Sequence, residues 1–146
     1  MYFSSRANKG FGGDLFRLER PGHQVAHRAG RVVDVNNALS ARLAVPCCVM
    51  VDGSFGDEMV LRSGAEGEAY ESLRGPFSIA GKPVLCDAEG PLDTPITGNV
   101  RVKVQPETAR AWLVAYMPAE TLTTEDAAAA LTSVLEGTGI EGTANQ

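Results

Sequence analysis

The sequence predicts a single α+β domain, and three observations support this prediction. The chain has 146 residues, which is the usual size of one domain. It contains sixteen glycines and eight prolines, which indicate many turns and therefore short strands. Two segments, one before most of these strands and one after them, combine capping residues with an apolar face and predict helices.

At the N-terminal end, residues 1–29 are expected to be irregular, with a short helix within residues 14–29. Asp34 is expected to cap a helix that ends near Leu43, because an aspartate side chain accepts hydrogen bonds from the free N–H groups of a first turn. Asparagine is a poor helix former, so we expect Asn37 to be a structural residue that ties this helix to a neighbouring loop.

Apolar or alternating runs bounded by turn residues predict six strands, over residues 47–51, 58–62, 76–80, 83–86, 100–104 and 111–117. The third and fourth of these runs are expected to form a hairpin. The fifth is expected to pair with the sixth across a turn at residues 106–108.

A second helix is predicted near the end of the chain, from Glu125 to Glu136. Thr124 is expected to cap it, and Gly137 to end it. Residues 138–146 are expected to be a flexible tail. The domain proper is therefore placed at residues 30–137.

The charge of the chain is unevenly distributed. Residues 1–45 carry seven Lys or Arg and three acids, whereas residues 46–146 carry six and fifteen. The acidic part argues against broad nucleic-acid binding, while the basic part leaves room for a local phosphate or RNA contact. No apolar run approaches the roughly 20 residues of a membrane span, so no membrane association is expected. Without a signal-peptide pattern and with only three cysteines, a cytoplasmic location with reduced thiols is expected.

The residues that could bind a metal are badly arranged for it. His23 and His27 are spaced four apart, but the adjacent cysteines Cys47 and Cys48 would point to opposite faces of a strand. We therefore expect no metal and no cofactor. A cysteine nucleophile would need a nearby base, and the two histidines are both in the N-terminal segment.

A polar loop after the 83–86 strand holds the candidate ligand-binding residues. Its acids offer acceptors for an amine or a ribose, and its arginine offers paired donors for a carboxylate or phosphate, unless it pairs with a neighbouring acid. We expect a ligand between this loop and the helix beginning at Asp34. The candidates are Asp87, Glu89, Thr94, Thr97, Asn99 and Arg101.

Several segments in a fixed order resemble the B3/4 domain of the phenylalanyl-tRNA synthetase beta subunit, over roughly residues 30–118. They begin with Arg31-Val32-Val33-Asp34-Val35-Asn36-Asn37-Ala38-Leu39-Ser40 and continue through Pro46, Asp52, Met59-Val60-Leu61-Arg62 and Ala65-Glu66-Gly67-Glu68. They end with Val84-Leu85-Cys86-Asp87-Ala88-Glu89-Gly90-Pro91, Thr94-Pro95, Arg101 and Thr108.

The resemblance implies a B3/4-like α+β fold with a central mixed or antiparallel sheet and flanking helices. In the synthetase this domain hydrolyses tyrosine wrongly attached to the phenylalanine tRNA. The family's pocket histidine would fall within residues 47–51, and its tyrosine-reading glutamate within residues 111–117. This chain has neither, and it has Gly98-Asn99 where freestanding relatives have Asp-Ser. It also starts later than those relatives, which have additional helices.

Three functions are compatible with this sequence. The missing histidine and glutamate favour non-catalytic or weakly catalytic binding of an amino acid, an aminoacyl group or a related small molecule. The resemblance and the basic N-terminal part favour a trans-editing hydrolase that deacylates mischarged tRNA, with tRNA or aminoacyl-tRNA as its partner. The later start favours an interaction subunit that associates with itself as a homo-oligomer.

Overall fold

The computed structural model describes residues 11–19 and 28–144, which form three layers. Two helices, α1 (Arg28–Leu43) and α2 (Thr124–Leu135), cover one face of a central sheet, and a second sheet lies against its other face. Every strand pairing is antiparallel. The α+β fold with a central sheet and flanking helices is therefore confirmed.

The strands form three sheets. The described strands are β1 (Phe11–Glu19), β2 (Cys47–Val51), β3 (Val60–Ser63), β4 (Ala69–Ser72), β5 (Gly75–Ser78), β6 (Pro83–Asp87), β7 (Gly90–Asp93), β8 (Arg110–Pro118) and β9 (Glu141–Ala144). The central sheet has the order β2-β8-β1-β9, the second sheet has the order β3-β6-β7, and β4 pairs with β5 alone.

Strand β8 is buried on both faces and connects the two halves of the core. Leu113 and Ala115 pack in the helix-side cluster, whereas Val114 and Tyr116 pack in the cluster beneath the second sheet. Successive side chains of a strand point to opposite faces. A strand with both faces covered therefore has a continuous apolar sequence, as residues 111–117 have.

Helix α1 begins earlier than predicted. It starts at Arg28, so Asp34 lies inside it and is not its N-cap, and the side chain of Asp34 is exposed. Ala44 follows the last turn with a φ of 55°, in the left-handed region that commonly ends helices. The sequence shows the helical spacing of apolar residues after Asp34. The prediction lacks the helical turns that precede Asp34 and therefore places the N-cap at this aspartate.

Helix α2 lies close to its predicted position. Its cap is Thr123 rather than Thr124, and the Thr123 hydroxyl accepts a hydrogen bond from the backbone N–H of Asp126 over 3.1 Å. The Asp126 carboxylate accepts one in return from the Thr123 N–H, which completes a capping box. Gly137 follows the helix with a positive φ of 75° and stops it, as predicted.

Several strand predictions need correction. Residues 76–80 and 83–86 do not form a hairpin, because β5 pairs with β4 and β6 pairs with β3 and β7. Residues 100–102 form a 3-10 helix instead of a strand that pairs with β8. Residues 11–19 form a long strand where an irregular segment leading into a helix was expected, and residues 141–144 form a strand within the expected flexible tail. Long-range pairing decides the strand outcomes, whereas the Asn99 side chain caps the 3-10 helix locally.

Candidate functional site

Arg101 and the two acids of the polar loop come together as an ion-pair network. The Arg101 guanidinium lies 2.8 Å from Oδ1 of Asp87 and 2.7 Å from Oε2 of Glu89. The Asp87 side chain is only 1% exposed, whereas that of Glu89 is 80% exposed. The arginine is thus held by one buried and one solvated carboxylate.

The Asp87 carboxylate is fully occupied within the protein. Besides Arg101, it accepts hydrogen bonds from the backbone N–H groups of Gly56, Glu89 and Gly90 at 3.0 to 3.1 Å. Burial acts to raise the pKa of Asp87, but the hydrogen bonds from Arg101 and from these backbone groups outweigh it, so the pKa lies below its ordinary value. Asp87 therefore anchors the β6–β7 turn to the 3-10 helix and the loop at Gly56.

Thr94 and Asn99 organise the next turn of the chain. The hydroxyl of Thr94, which is buried, donates to the Thr97 carbonyl and accepts from the N–H groups of Ile96 and Thr97. Asn99 caps the 3-10 helix by accepting from the Arg101 N–H over 3.0 Å, and its amide donates to the Pro91 carbonyl over 3.0 Å. These side chains give the loop a fixed shape.

A cavity of about 450 Å³ lies between α1, β2 and this loop. Most of its walls are apolar, with polar groups at a few positions. Of the six predicted ligand-binding residues, Asn99 lines it, whereas the other five are not among the residues on its walls. The residues on its walls are Val33, Asn36, Cys47, Cys48, Val49, Leu73, Asp93, Gly98, Asn99, Val102, Lys103 and Val104.

Asp93 is the buried carboxylate on this wall, with 1% of its surface exposed. Its Oδ2 accepts a hydrogen bond of 2.5 Å from the hydroxyl of Tyr116, which is also buried. Burial raises the pKa of Asp93 to about 6, although the hydrogen bond from Tyr116 acts to lower it. This group therefore titrates closer to neutral pH than an ordinary aspartate does.

The helix residue that contacts a neighbouring segment is Asn36, not Asn37 as predicted. The Asn36 amide donates to the Cys47 carbonyl over 3.1 Å and is 9% exposed, whereas Asn37 is exposed. The Oδ1 atom of Asn36 is buried and has no hydrogen-bond partner among the described residues. Asn36 follows the buried Val32 by four positions and therefore lies on the packed face of α1, whereas Asn37 lies on the exposed side.

The cavity's cysteines are poor nucleophiles. Burial raises the pKa of Cys47 to about 12, and burial together with the charge of Asp93 raises that of Cys48 still further. No group of three metal-ligating side chains occurs within the described residues. His23 and His27 lie outside them.

Sequence reasoning missed the buried groups Asp93, Cys48 and Tyr116 as a unit. Asp93 is not among the predicted ligand-binding residues, and Tyr116 lies within a run that predicts only an apolar strand. A polar tip on an otherwise apolar strand was the available signal, because a buried tyrosine hydroxyl generally needs a hydrogen-bond partner.

Comparison with known proteins adds information about the fold. No family model matches the chain, and no curated protein matches it. A solved structure of an N-terminal fragment of the phenylalanyl-tRNA synthetase beta subunit from Pyrococcus horikoshii is similar, with a TM-score of 0.65 and 11% sequence identity. The match covers 89% of this chain and 46% of that one, so the chain spans about half the length of the fragment. The chain thus has a fold similar to that of the synthetase fragment.

Among the described residues, no helix is both long enough and apolar enough to cross a membrane.

Proposed function

We propose that this chain is a binding domain whose cavity takes an amino acid or an aminoacyl group. The observation that carries the proposal is the pair of buried polar groups on a largely apolar wall. Oδ1 of Asn36 has no hydrogen bond, and the carboxylate of Asp93 has no ion pair, among the described residues. Tyr116 already donates a hydrogen bond to Asp93, but Asn36 Oδ1 has no donor and the Asp93 carboxylate has no counter-charge among the described residues. Buried polar groups nearly always have hydrogen-bond partners and buried charges are usually paired, so a polar ligand group would complete the site.

The size and lining of the cavity fit a ligand of this class. Small-molecule cavities typically measure about 300–1,000 Å³ and combine apolar walls with a few polar groups. The volume of about 450 Å³ lies within that range. An aliphatic or aromatic side chain would pack against the apolar residues of the wall, which are Val33, Val49, Leu73, Val102 and Val104.

The predicted loop residues have a place in this proposal. Asn99 lines the cavity directly, while Asp87, Glu89 and Arg101 hold the loop through their ion pairs. Thr94 and Thr97 shape the turn between them. We propose that they support the site by fixing the backbone that carries Asn99. The likeness in fold to a tRNA synthetase fragment favours an aminoacyl ligand over an arbitrary amine.

A second candidate function is hydrolysis of an aminoacyl ester, for which mischarged tRNA is the substrate class. The observation in its favour is the pKa of about 6 for Asp93, because a group that titrates near neutral pH suits general-base activation of water. The weak thiolates of Cys47 and Cys48 disfavour a covalent route. Deacylation of a panel of mischarged tRNAs would reveal this activity.

The binding proposal is tested by filling the cavity from the helix. Val33 lines the cavity and is 36% exposed, so Val33→Trp adds bulk there at a small folding cost. Ala41→Trp is the matched control, because Ala41 is an exposed residue of the same helix that does not line the cavity. Calorimetric titration with the standard amino acids and aminoacyl-adenosine analogues should show binding to the wild type and to Ala41→Trp, and loss of binding in Val33→Trp. No binding to any of these compounds, or equal binding by both variants, would refute the proposal.

A further inference from the structure

Asp93 is a buried carboxylate that accepts a hydrogen bond from a neutral donor, the hydroxyl of Tyr116. The nearby Cys48 thiol donates to the Thr94 carbonyl, and the Thr94 N–H donates to the Thr97 carbonyl. None of the ion pairs formed by the described residues includes Asp93. A buried charge is costly unless a charge of opposite sign accompanies it. The folded chain therefore presents an acceptor without a countercharge.

A second buried acceptor belongs to Asn36, another residue that lines the same cavity. Asn36 projects from α1 and is 9% exposed, and its Oδ1 is buried without a hydrogen bond. Its amide nitrogen is already engaged with the Cys47 carbonyl, so only the oxygen remains for a ligand. A carboxylate and an amide oxygen on one cavity both accept hydrogen bonds. A ligand group that donates several bonds and carries positive charge complements them.

The loop backbone approaches the Asp93 carboxylate closely at Gly98. A Cβ atom at this position would lie 3.0 Å from Oδ1 of Asp93 and would crowd it. Since glycine has no Cβ, the loop backbone can lie this close to the carboxylate. A larger residue at this position would have to displace the Asp93 side chain.

The basic and acidic residues that line the cavity differ in their exposure to solvent. Among the described residues that line it, Lys103 is the basic one, and it is exposed, whereas the acidic Asp93 is buried. A ligand with a cationic group and an anionic or esterified group would therefore enter with the cationic group first. The outer group would face Lys103 and solvent.

From these positions we infer that the ligand binds through a free primary ammonium group, with Asp93 as its counter-ion and Asn36 Oδ1 as a second acceptor. The inference rests on the proposed binding function and narrows it. The site would select compounds with an unblocked amine and reject N-acylated ones. Acylation removes the charge and leaves one N–H where the ammonium has three donors.

The test compares leucinamide and phenylalaninamide with their N-acetyl forms, in titrations of the wild-type chain followed by amide NMR shifts. The free amides carry the ammonium and lack a carboxylate, as an esterified aminoacyl group does. We expect N-acetylation to weaken binding by about tenfold or more, the usual value of a charge-assisted hydrogen bond. Equal binding by free and acetylated amides would overturn the inference and leave the binding proposal intact. Absence of binding by all four compounds would overturn the inference as well, while the amino acid and aminoacyl-adenosine titrations separately decide the proposed function.

Two variants locate the ammonium within the cavity. Asp93→Asn keeps the shape and an acceptor for Tyr116 but removes the charge, and Gly98→Ala keeps the charge but crowds Oδ1. Both should weaken binding of the free amides by about tenfold or more. Unchanged affinity in both folded variants would exclude Asp93 as the counter-ion. The comparison of free and acetylated amides on the wild type decides the inference even where a variant fails to fold.

Discussion

The hydroxyl of Tyr116 donates a 2.5 Å hydrogen bond to Oδ2 of Asp93, and both residues are almost completely buried. This contact joins the central sheet to the end of β7 in the second sheet. It also holds a titratable carboxyl group inside the core, with a neutral hydroxyl as its hydrogen-bond donor. The protonation state of Asp93 therefore bears on both the stability and the binding properties of the domain.

The first prediction concerns the pH dependence of stability. The pKa of Asp93 is raised from 3.8 to about 6 in the folded chain, so the folded state binds this proton more tightly than the unfolded state. The stabilisation from Asp93 is fully present below pH 4 and is lost as the pH rises through 6. Asp93→Asn removes this dependence. Relative to wild type, the variant should gain about 2–3 kcal/mol of unfolding free energy between pH 4 and pH 7, since one pKa unit is worth about 1.4 kcal/mol.

Urea unfolding of both proteins at the two pH values checks this. Other carboxylates, including Asp87 with its lowered pKa, occur in both proteins and cancel in the difference. Asp57→Asn, at an exposed position, serves as the control and should follow wild type. Parallel pH profiles for wild type and Asp93→Asn would contradict the prediction.

The second prediction separates two adjacent asparagines. Asn36→Ala removes the 3.1 Å hydrogen bond to the Cys47 carbonyl at a site that is 9% exposed. We expect a loss of about 1–3 kcal/mol in unfolding free energy, because a buried carbonyl is left without its donor. Asn37→Ala, at the exposed neighbouring position, should change stability by less than about 0.5 kcal/mol. Chemical denaturation measures both, and a larger effect at Asn37 would reverse the assignment.

The third prediction concerns a close backbone approach at Gly64. A Cβ atom there would lie 2.0 Å from the carbonyl oxygen of Ile79 and 2.7 Å from its carbonyl carbon. The backbone of Gly64 also bonds to Lys82 and Gly81 on the facing segment, so it cannot move away without breaking those bonds. We expect Gly64→Ala to destabilise the domain by about 3 kcal/mol or more.

Gly56→Ala provides the steric control, because a Cβ atom at Gly56 would make only ordinary contacts at 3.9 Å with the Asp87 side chain. Its backbone N–H, which donates to Asp87, is retained. Thermal unfolding should show a large drop in melting temperature for Gly64→Ala and a small change for Gly56→Ala. Similar melting temperatures for the two variants would contradict the prediction, because they would show that the backbone at Ile79 shifts to accommodate the added Cβ atom at little cost.

The fourth prediction distinguishes the two ion pairs of Arg101. Double-mutant cycles with alanine should give a coupling energy of about 1–3 kcal/mol for Arg101 with Asp87, since the Asp87 side chain is buried and hydrogen-bonded. The coupling with Glu89 should be below about 0.5 kcal/mol, because that carboxylate is 80% exposed and solvent weakens the attraction. Equal coupling energies for the two pairs would contradict this prediction, because they would show that the different exposure of the two carboxylates has no effect.

The sequence by itself determined the α+β class, because local signals carry it. Residues 111–117 form a continuous apolar run that matches a strand buried on both faces, and the acids and threonines before residue 127 predict the start of α2 to within one residue. Residues 47–51 are likewise a strand, as their apolar run predicts. Each of these features depends on residues close together in the chain, so the pattern is visible without knowledge of the partners.

The tertiary structure decided the pairing of strands and the composition of the candidate site. Residues 75–78 pair with 69–72 rather than with 83–86, and residues 100–102 turn into a 3-10 helix beneath the Asn99 cap. Asp93 and Tyr116 are 23 positions apart, and Asn36 meets Cys47 across the end of a helix. Local propensity is similar for the competing arrangements, whereas burial and hydrogen-bond satisfaction differ. Those terms arise only when distant segments pack together.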